Sequence, residues 1–447
     1  MKTVITYGTY DLLHEGHIRL LQRAKKLGDY LIVGVTSDDF DKTRGKINVQ
    51  QSLMERVEAL RKTNIADKII IEEYVGQKID DIIRYNVDIF TVGSDWEGKF
   101  DYLNEFCEVV YLSRTKGISS SQLRTEKHSI KLGIFGNGKS NVIKKYITES
   151  GFVNGLEISG AYSIDSKLND YFDKNDINVF SDCEELLENS DAIYVCTDPK
   201  DHYEDVKFAL EHDRHVICES PICLSSDQAD ELFEIAESKG LVLVDAIKTA
   251  FSMAYNRLVL LVKSGRIGDV ISIDCTCSSI PKEITDFESG WNSINTWGPI
   301  GMLPILHLFG VDYSNCEIVS LSSEKSSTFD LFSNIRFRYE NGVGNVKLGL
   351  GVKSEGELII SGTKGYVYVP APWWKTDYFE VRFEDQSENK RFFYQLEGEG
   401  IRYELVAFVK MIENNTKNHY IDSEISKAIV KVLNQFYLGD KFSISKQ

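Results

Sequence analysis

Short β-branched runs alternate with stretches of helical period from the first residues onward, and the alternation starts afresh near residue 130. In the first stretch, Val4–Tyr7, Tyr30–Val35, Lys68–Ile71, Asp88–Val92 and Val109–Leu112 read as strands. Ile18–Leu27, Leu53–Lys62 and Ile79–Tyr85 read as helices between them. Strand and helix in turn, at this spacing, predict a doubly wound parallel sheet. Such sheets bind ligands outside the carboxyl ends of their strands.

The second start is Ile130–Phe135, then Gly136-Asn-Gly138 and a helix from about Ser140. Strands are expected to follow at Leu156–Tyr162, Ala192–Cys196, His215–Cys218 and Leu241–Val244. Arg124–Ser129 is a short polar join. After a helix near Ala254–Lys263 the pattern changes to runs with no helix expected between them: Val270–Cys277, Ile335–Tyr339, Gly344–Leu350, Glu357–Ser361, Tyr366–Val369 and Phe379–Phe383. These predict an antiparallel sheet, closed by helices at Tyr403–Glu413 and Glu424–Tyr437. The expected fold class is α/β: a Rossmann-like domain over 1–127, a second Rossmann domain over 128–250, and an α+β open-sheet domain over 251–447.

Charge narrows the partners. Lys plus Arg is 51 against 68 Asp plus Glu, a net charge of −17. Residues 1–127 hold 19 basic and 20 acidic side chains, net −1, so −16 falls on the remainder. The balance argues against nucleic acid or an anionic membrane as partner, since both select excess positive charge. The near-neutral first part suits a polyanionic small ligand. No apolar run approaches the roughly 18 residues of a membrane span. Strand pattern at the first residues leaves no room for a signal peptide, and eight cysteines without a Cys-x-x-Cys pair point to a reducing compartment, so a cytoplasmic protein is expected. Cys275 and Cys277 should share one face of a strand as a reduced, packed pair. The pairs Trp291/Trp297 and Trp373/Trp374 are read as packing residues.

Directly after the first strand stands Gly8-Thr-Tyr-Asp-Leu-Leu-His14-Glu-Gly16-His17. The second imidazole opens a helix, where free N–H groups and the dipole favour anions. Gly16 allows close backbone approach, and the two imidazoles can stabilise charge building on an α-phosphate. Asp95-Trp-Glu-Gly-Lys99 and Arg114-Thr-Lys-Gly-Ile-Ser-Ser-Ser121 follow later strands, and the serines of the latter can start a second helix toward the same phosphates. No side-chain nucleophile is required; positioning and charge neutralisation suffice, with Mg²⁺ bridging phosphate oxygens.

These motifs closely resemble the glycerol-3-phosphate cytidylyltransferases of the His-x-Gly-His nucleotidyltransferase superfamily, over the length of residues 1–127. The resemblance implies CTP and a small polyol phosphate as substrates, giving a CDP-polyol and pyrophosphate. It implies CTP contacts from Gly8, Thr9, Tyr10, Asp11, His14, Gly16, His17, Lys46, Asp95, Trp96, Arg114, Thr115, Gly117, Ile118, Ser119, Ser120 and Ser121. His14, His17, Lys46 and Arg114 are the expected catalytic set, and Arg44 and Lys78 the acceptor-phosphate residues. Arg56 heads a helix where the family also has a basic residue. Glu15 replaces a usual aromatic residue, a second expected Arg falls near Asn64, and the loop Arg44–Gln51 is one residue longer. These departures bear on the polyol. The motif at Arg114–Ser121 looks cytidylyl-specific, which disfavours adenylyl transfer.

In the second stretch, Gly136 and Gly138 between strand and helix suit a dinucleotide pyrophosphate, although Asn141 takes the third glycine position. The run Cys196-Thr-Asp-Pro-Lys-Asp-His202, then His215-Val-Ile-Cys-Glu219-Ser220-Pro221, and Gly362-Thr-Lys-Gly365 resemble the Gfo/Idh/MocA oxidoreductases over 130–447. The resemblance implies NAD(P)H, a hydride passed to or from a sugar or polyol carbon, and cofactor contacts at Gly136, Gly138, Lys139, Ser163, Thr197, Pro199, His202 and Glu219. Ser163 leaves NAD and NADP both open. The family's catalytic Lys position is Ser220 and its usual Asp position is Leu303. Lys248, at the carboxyl edge of the sheet, and His307 are the replacement candidates for acid–base work. Two readings stand: a reductase that supplies the polyol phosphate, or a noncatalytic dinucleotide-fold module for sensing or dimerisation. Both resemblances imply a homodimer.

Overall fold

The computed structural model describes residues 2–37, 49, 51–73, 76–113, 129–137, 140–163, 165–281, 284, 287–394, 396 and 398–444. It divides into two compact units, Met1–Ser129 and Ile130–Gln447.

In the first unit, β1 (Thr3–Gly8), β2 (Tyr30–Thr36), β3 (Lys68–Glu72), β4 (Ile89–Gly93) and β5 (Glu108–Leu112) form one parallel sheet in the order β3-β2-β1-β4-β5. Helices α1 (Glu15–Lys25), α2 (Leu53–Lys62) and α3 (Gln77–Arg84) are the described connections. Val4, Leu31, Val33, Leu21 and Leu60 build the core on one face, Ile5, Ile32, Phe90 and Ile82 on the other, which is why these strands read as nearly continuous apolar runs. The order reverses between β1 and β4, opening the crevice at their carboxyl ends. Helix α2 starts in a capping box: Ser52 accepts from the Glu55 N–H while Glu55 accepts from the Ser52 N–H.

The second unit begins with β6 (Ile130–Gly136), β7 (Leu156–Tyr162), β8 (Ala192–Cys196), β9 (His215–Glu219) and β10 (Leu243–Ala246), a parallel sheet ordered β10-β9-β8-β6-β7. Helices α4 (Ser140–Ser150), α5 (Ser166–Lys174), α6 (Cys183–Glu188), α7 (His202–Glu211) and α8 (Ser226–Lys239) accompany it. The last strand lies two residues beyond the expected Leu241–Val244, which brings Asp245 inside it.

The remainder is a nine-stranded sheet of β11 (Val270–Ser278), β12 (Asn315–Ser323), β13 (Ser326–Arg338), β14 (Val343–Gly349), β15 (Leu358–Gly362), β16 (Gly365–Val369), β17 (Tyr378–Phe383), β18 (Lys390–Phe393) and β19 (Phe442–Ser443). It is mixed, not antiparallel: β11 pairs with β14, and β12 with β19, in parallel. Helices α9 (Met253–Lys263), α10 (Ser293–Phe309), α11 (Ile401–Asn414) and α12 (Ser423–Tyr437) pack with it. The expectation of strands without an intervening helix fails at α10, which carries Pro299 and Pro304 inside it. Its uniform apolarity hides the 3.6-residue period and its prolines read as breakers. A Cβ on Gly301 would come within 2.7 Å of Val346, so the glycine lets α10 settle onto the sheet. Cys275 and Cys277 are free, buried and on one face, as expected. Trp373 and Trp374 are buried packing residues.

Two Rossmann-like parallel sheets followed by a larger open-sheet domain are the expected fold class. Among the described residues no helix is long and apolar enough to cross a membrane.

Candidate functional site

In the first unit, β1 ends at Gly8 and α1 starts at Glu15 with His14 as its N-cap. The Gly16 N–H donates to His14 Nδ1 at 3.0 Å, so a neutral His14 carries its proton on Nε2. The imidazoles of His14 and His17 stack with centroids 3.9 Å apart, and the Tyr10 ring meets His17 edge-on at 5.6 Å. Tyr10 is buried and packs on Gly8, where a Cβ would come within 2.9 Å of the ring. Burial drives its phenol well above the ordinary range.

Tyr10 and Leu12 both adopt left-handed backbone, at φ 53° and 46°. Such conformations persist only where surroundings over-determine them. Here Gln51 does so, its N–H donating to Asp11 Oδ1 at 3.0 Å and its Oε1 accepting from the Leu12 N–H at 2.8 Å. Arg56, fully buried, adds a staple: Nε donates to the Gln51 carbonyl at 3.1 Å, and one terminal nitrogen donates to the carbonyls of Thr9 at 2.7 Å and Thr36 at 2.8 Å. The sequence marked Arg56 only as a basic helix position; its work is to tie the β1 and β2 exits together.

Lys78 sits at the start of α3, buried, its ammonium paired with buried Glu72 and 4.7 Å over the Tyr7 ring. Glu72 also accepts from Thr36 Oγ1, and Tyr7 Oη donates to Asp81 Oδ2 at 2.9 Å. Lys78 is thus at the carboxyl edge of the sheet, with a carboxylate already on it. Trp96 and Asp95 belong to the turn Ser94–Trp96 after β4, and Lys99 lies 5.1 Å over the Trp96 ring. Glu15 pairs with Arg19 at 2.9 Å. Asn64 lies beyond the end of α2 in left-handed backbone, so the position of the missing second Arg is not helical here. Arg44, Lys46, Arg114, Thr115, Gly117, Ile118, Ser119, Ser120 and Ser121 lie outside the described residues, as do Gly138 and Lys139.

In the second unit a Cβ on Gly136 would come within 2.6 Å of Ile143, so this glycine seats α4 against the end of β6. Ser163, after β7, accepts from the Asp165 N–H at 3.0 Å, and Asp165 caps α5 through the Lys167 N–H. Thr197 Oγ1 donates to Asp205 at 2.6 Å, and burial pushes the Asp205 carboxyl up to about 6. Pro199 is buried. His202 is fully buried, its nitrogens 2.7 Å from the Pro221 carbonyl and 3.0 Å from the Thr197 carbonyl. Glu219 accepts from Tyr194 Oη at 2.8 Å. These residues line the carboxyl ends of β6–β9.

Beyond them lies a buried acidic layer that sequence reading missed. Tyr146 of α4 stacks on Tyr194 at 4.0 Å and donates to Glu404 of α11. Glu404 is fully buried, and burial raises its carboxyl well above the usual range. Burial also pushes Asp245 up to about 7, with the Ser220 and Ser426 hydroxyls beside it opposing the shift. Ser220 therefore stands among carboxyl groups. Leu303 is a core residue of α10.

Lys248 pairs with Glu399 at 3.3 Å. His307 is held from both sides: Tyr255 Oη lies 2.9 Å from Nδ1 and the Tyr420 carbonyl 2.8 Å from Nε2. A carbonyl only accepts, so Nε2 carries the proton and Nδ1 receives the tyrosine's. Among the described residues no hydrogen bond or ion pair joins Lys248 to His307. Burial pulls the His307 pKa down to about 4, with the Tyr420 bond opposing and Lys263 adding to the shift. Between about pH 6.5 and 4 the unfolded chain therefore binds a proton that the folded chain refuses. The contribution of neutral His307 to stability is complete above that window and is lost as pH falls through it. Imidazole NMR should show His307 as the neutral Nε2–H tautomer at pH 5.5, where free histidines are mostly charged.

Comparison with known proteins agrees with this division. Residues 5–126 match the cytidylyltransferase-like family model, and residues 130–246 the model of the oxidoreductase family with an NAD-binding Rossmann fold. Glycerol-3-phosphate cytidylyltransferase of Bacillus subtilis is 51% identical over 126 residues, which span 28% of this chain and 97% of that protein. The Staphylococcus aureus enzyme of the same name is 48% identical over 28% of this chain and 95% of its own. A 3-ketoreductase from Actinomadura kijaniata, solved with NADP and TDP-benzene, superposes with a TM-score of 0.64 at 16% identity, over 71% of this chain and 99% of that one, a likeness of fold. The chain belongs to the glycerol-3-phosphate cytidylyltransferase family, its first unit a nucleotidyltransferase and its second a Gfo/Idh/MocA-type oxidoreductase fold.

Proposed function

We propose that the first unit transfers cytidylyl from CTP to a polyol phosphate, glycerol 3-phosphate or a related alditol phosphate, and that the second unit supplies that acceptor by reducing a keto or aldo sugar phosphate with NAD(P)H. The observation that carries the reading is the stacked His14–His17 pair at the β1/β4 crevice, in a chain that joins this unit to a dinucleotide fold. In the transfer, an acceptor phosphate oxygen attacks the α-phosphorus of CTP, the bond to the bridging β-oxygen breaks, and pyrophosphate leaves. His14 Nε2–H and His17 donate to the oxygen on which charge builds. Lys46 and Arg114 neutralise the phosphates, and Arg44 and Lys78 hold the acceptor. Mg²⁺ entering with CTP would neutralise charge on the phosphates during the transfer.

NAD(P)H would supply a hydride. The close seating of α4 on β6 at Gly136 fits a dinucleotide at that turn, with Ser163, Thr197, Pro199, His202 and Glu219 along the strand ends. Lys248 is the proton donor in this reading. His307 is the second acid–base candidate in this reading, its ring held by Tyr255 Oη and the Tyr420 carbonyl. A CDP-polyol is a donor for cell-surface polymers, teichoic acid or capsule, made by a cytoplasmic homodimer.

The rival is a noncatalytic sensor or dimerisation module, favoured by Ser220 among carboxyl groups and by the engagement of both His307 nitrogens. Mass spectrometry of purified protein with Mg²⁺, CTP or ATP, and a panel of polyol phosphates tests the first half: CDP-polyol and pyrophosphate from CTP are expected, with ATP poorly used. No product from any acceptor overturns it. NAD(P)H binding without turnover of any sugar phosphate favours the sensor.

A further inference from the structure

Gly398, Glu399 and Gly400 adopt three successive left-handed conformations, at φ 56°, 54° and 95°. The loop is seated without slack: a Cβ on Gly398 would come within 2.1 Å of Glu149, and one on Gly400 within 3.0 Å of the Lys248 carbonyl. What this backbone achieves is the placement of one carboxylate among three ammonium groups. Glu399 Oε2 is 2.8 Å from Lys145 and 3.3 Å from Lys248, and its Oε1 is 2.9 Å from Lys375.

The three lysines come from separate places: Lys145 from α4, Lys248 from just beyond β10, and Lys375 from the turn Trp373–Lys375. Their side chains are 48%, 23% and 36% exposed, so a solute can reach them. Neighbouring Glu149 is neutralised by Arg402 at 2.9 Å. Three cations on one anion leave the cluster at +2, in a half of the chain that sums to −16. A cavity of about 290 Å³ opens beside it, lined by Lys144, Lys145, Thr148, Glu149, Gly398 and Glu399.

We infer that Lys145 and Lys375 seat the phosphomonoester of the second unit's substrate beside Lys248, the proton donor of that reading, with Glu399 holding the three ammonium groups together when it is absent. The inference rests on the reductase reading above. A phosphomonoester dianion matches +2, which a neutral sugar does not, and three ammonium groups around one point suit a multidentate oxyanion. The carboxyl edge of β10, where Lys248 stands, is also where a hydride acceptor is expected. The cofactor's ribose end is expected at Ser163 beyond β7, whereas Lys248 stands beyond β10 at the other edge of that sheet.

The test uses the full chain, reduced nicotinamide, and each phosphorylated keto or aldo sugar beside its unphosphorylated parent. Lys145→Gln and Lys375→Gln should each raise KM for the phosphorylated sugar at least tenfold, leave KM for the parent sugar and the nicotinamide unchanged, and weaken competitive inhibition by inorganic phosphate. Glu399→Gln takes the cluster to +3 and should tighten that inhibition, which a merely structural ion pair would not do. Equal effects on phosphorylated and parent sugars, a selective rise in KM for the nicotinamide, or weaker phosphate inhibition in Glu399→Gln overturns the assignment. If the chain reduces no sugar, the reductase reading fails separately. Calorimetry with inorganic phosphate at saturating CTP then decides the site: a binding event lost in the Lys145→Gln/Lys375→Gln double variant upholds it, and identical isotherms overturn it.

Discussion

His17→Ala should lower kcat for CDP-polyol formation by about 100- to 1000-fold, the usual cost of removing one preorganised donor from a developing oxyanion. KM for CTP should change far less, because a group matched to transition-state charge acts on kcat. The His17 ring packs on His14 and Tyr10, but the helix cap and the ties of the loop are made by other residues. The α1 N-terminus is capped by His14, and the loop before it is held by Gln51 and Arg56. His14→Ala would remove the cap along with a donor, so its loss of activity would mix two causes. Steady-state kinetics with a melting curve separate them for His17: full stability with activity within tenfold of the parent would remove the imidazole pair from the chemistry.

Arg56→Met should cost the first unit about 3–6 kcal/mol. Methionine occupies much of the volume but donates nothing, so the carbonyls of Thr9, Thr36 and Gln51 lose a donor, that of Thr36 in a buried setting and the other two in a partly buried one. Each such loss costs roughly 1–3 kcal/mol. Arg56→Lys should recover little, because one ammonium cannot reproduce the guanidinium's spread of donors. Calorimetry should show the first unit's transition lowered and the second unit's unmoved. A shift below about 1 kcal/mol would mean that the loop is held by other means.

What was legible in the sequence was local. β1, the glycine that ends it and the His14–His17 spacing are adjacent in the chain, and strand–helix alternation fixes the side of the sheet on which they meet. The staple by Arg56 was not legible, since it joins the backbone at positions 9, 36 and 51 and no side-chain pattern announces a carbonyl partner. Helix α10 was missed because a helix apolar on every side has no stripe to detect. Asp245 escaped notice because β10 lies two residues later than its apolar run suggested. The lysines around Glu399 are drawn from up to 254 positions away, and only the folded chain brings them together.

The fusion itself is tested most directly by isotope transfer. Full-length protein is given CTP, Mg²⁺, a keto or aldo sugar phosphate, and reduced nicotinamide deuterated at C4, and the CDP-polyol is weighed. The account predicts a CDP-polyol one mass unit heavier, with the deuterium on the reduced carbon, formed only when both nucleotides are present. CDP-polyol that arises solely from preformed polyol phosphate, with no deuterium taken from the nicotinamide for any sugar phosphate tried, would contradict it.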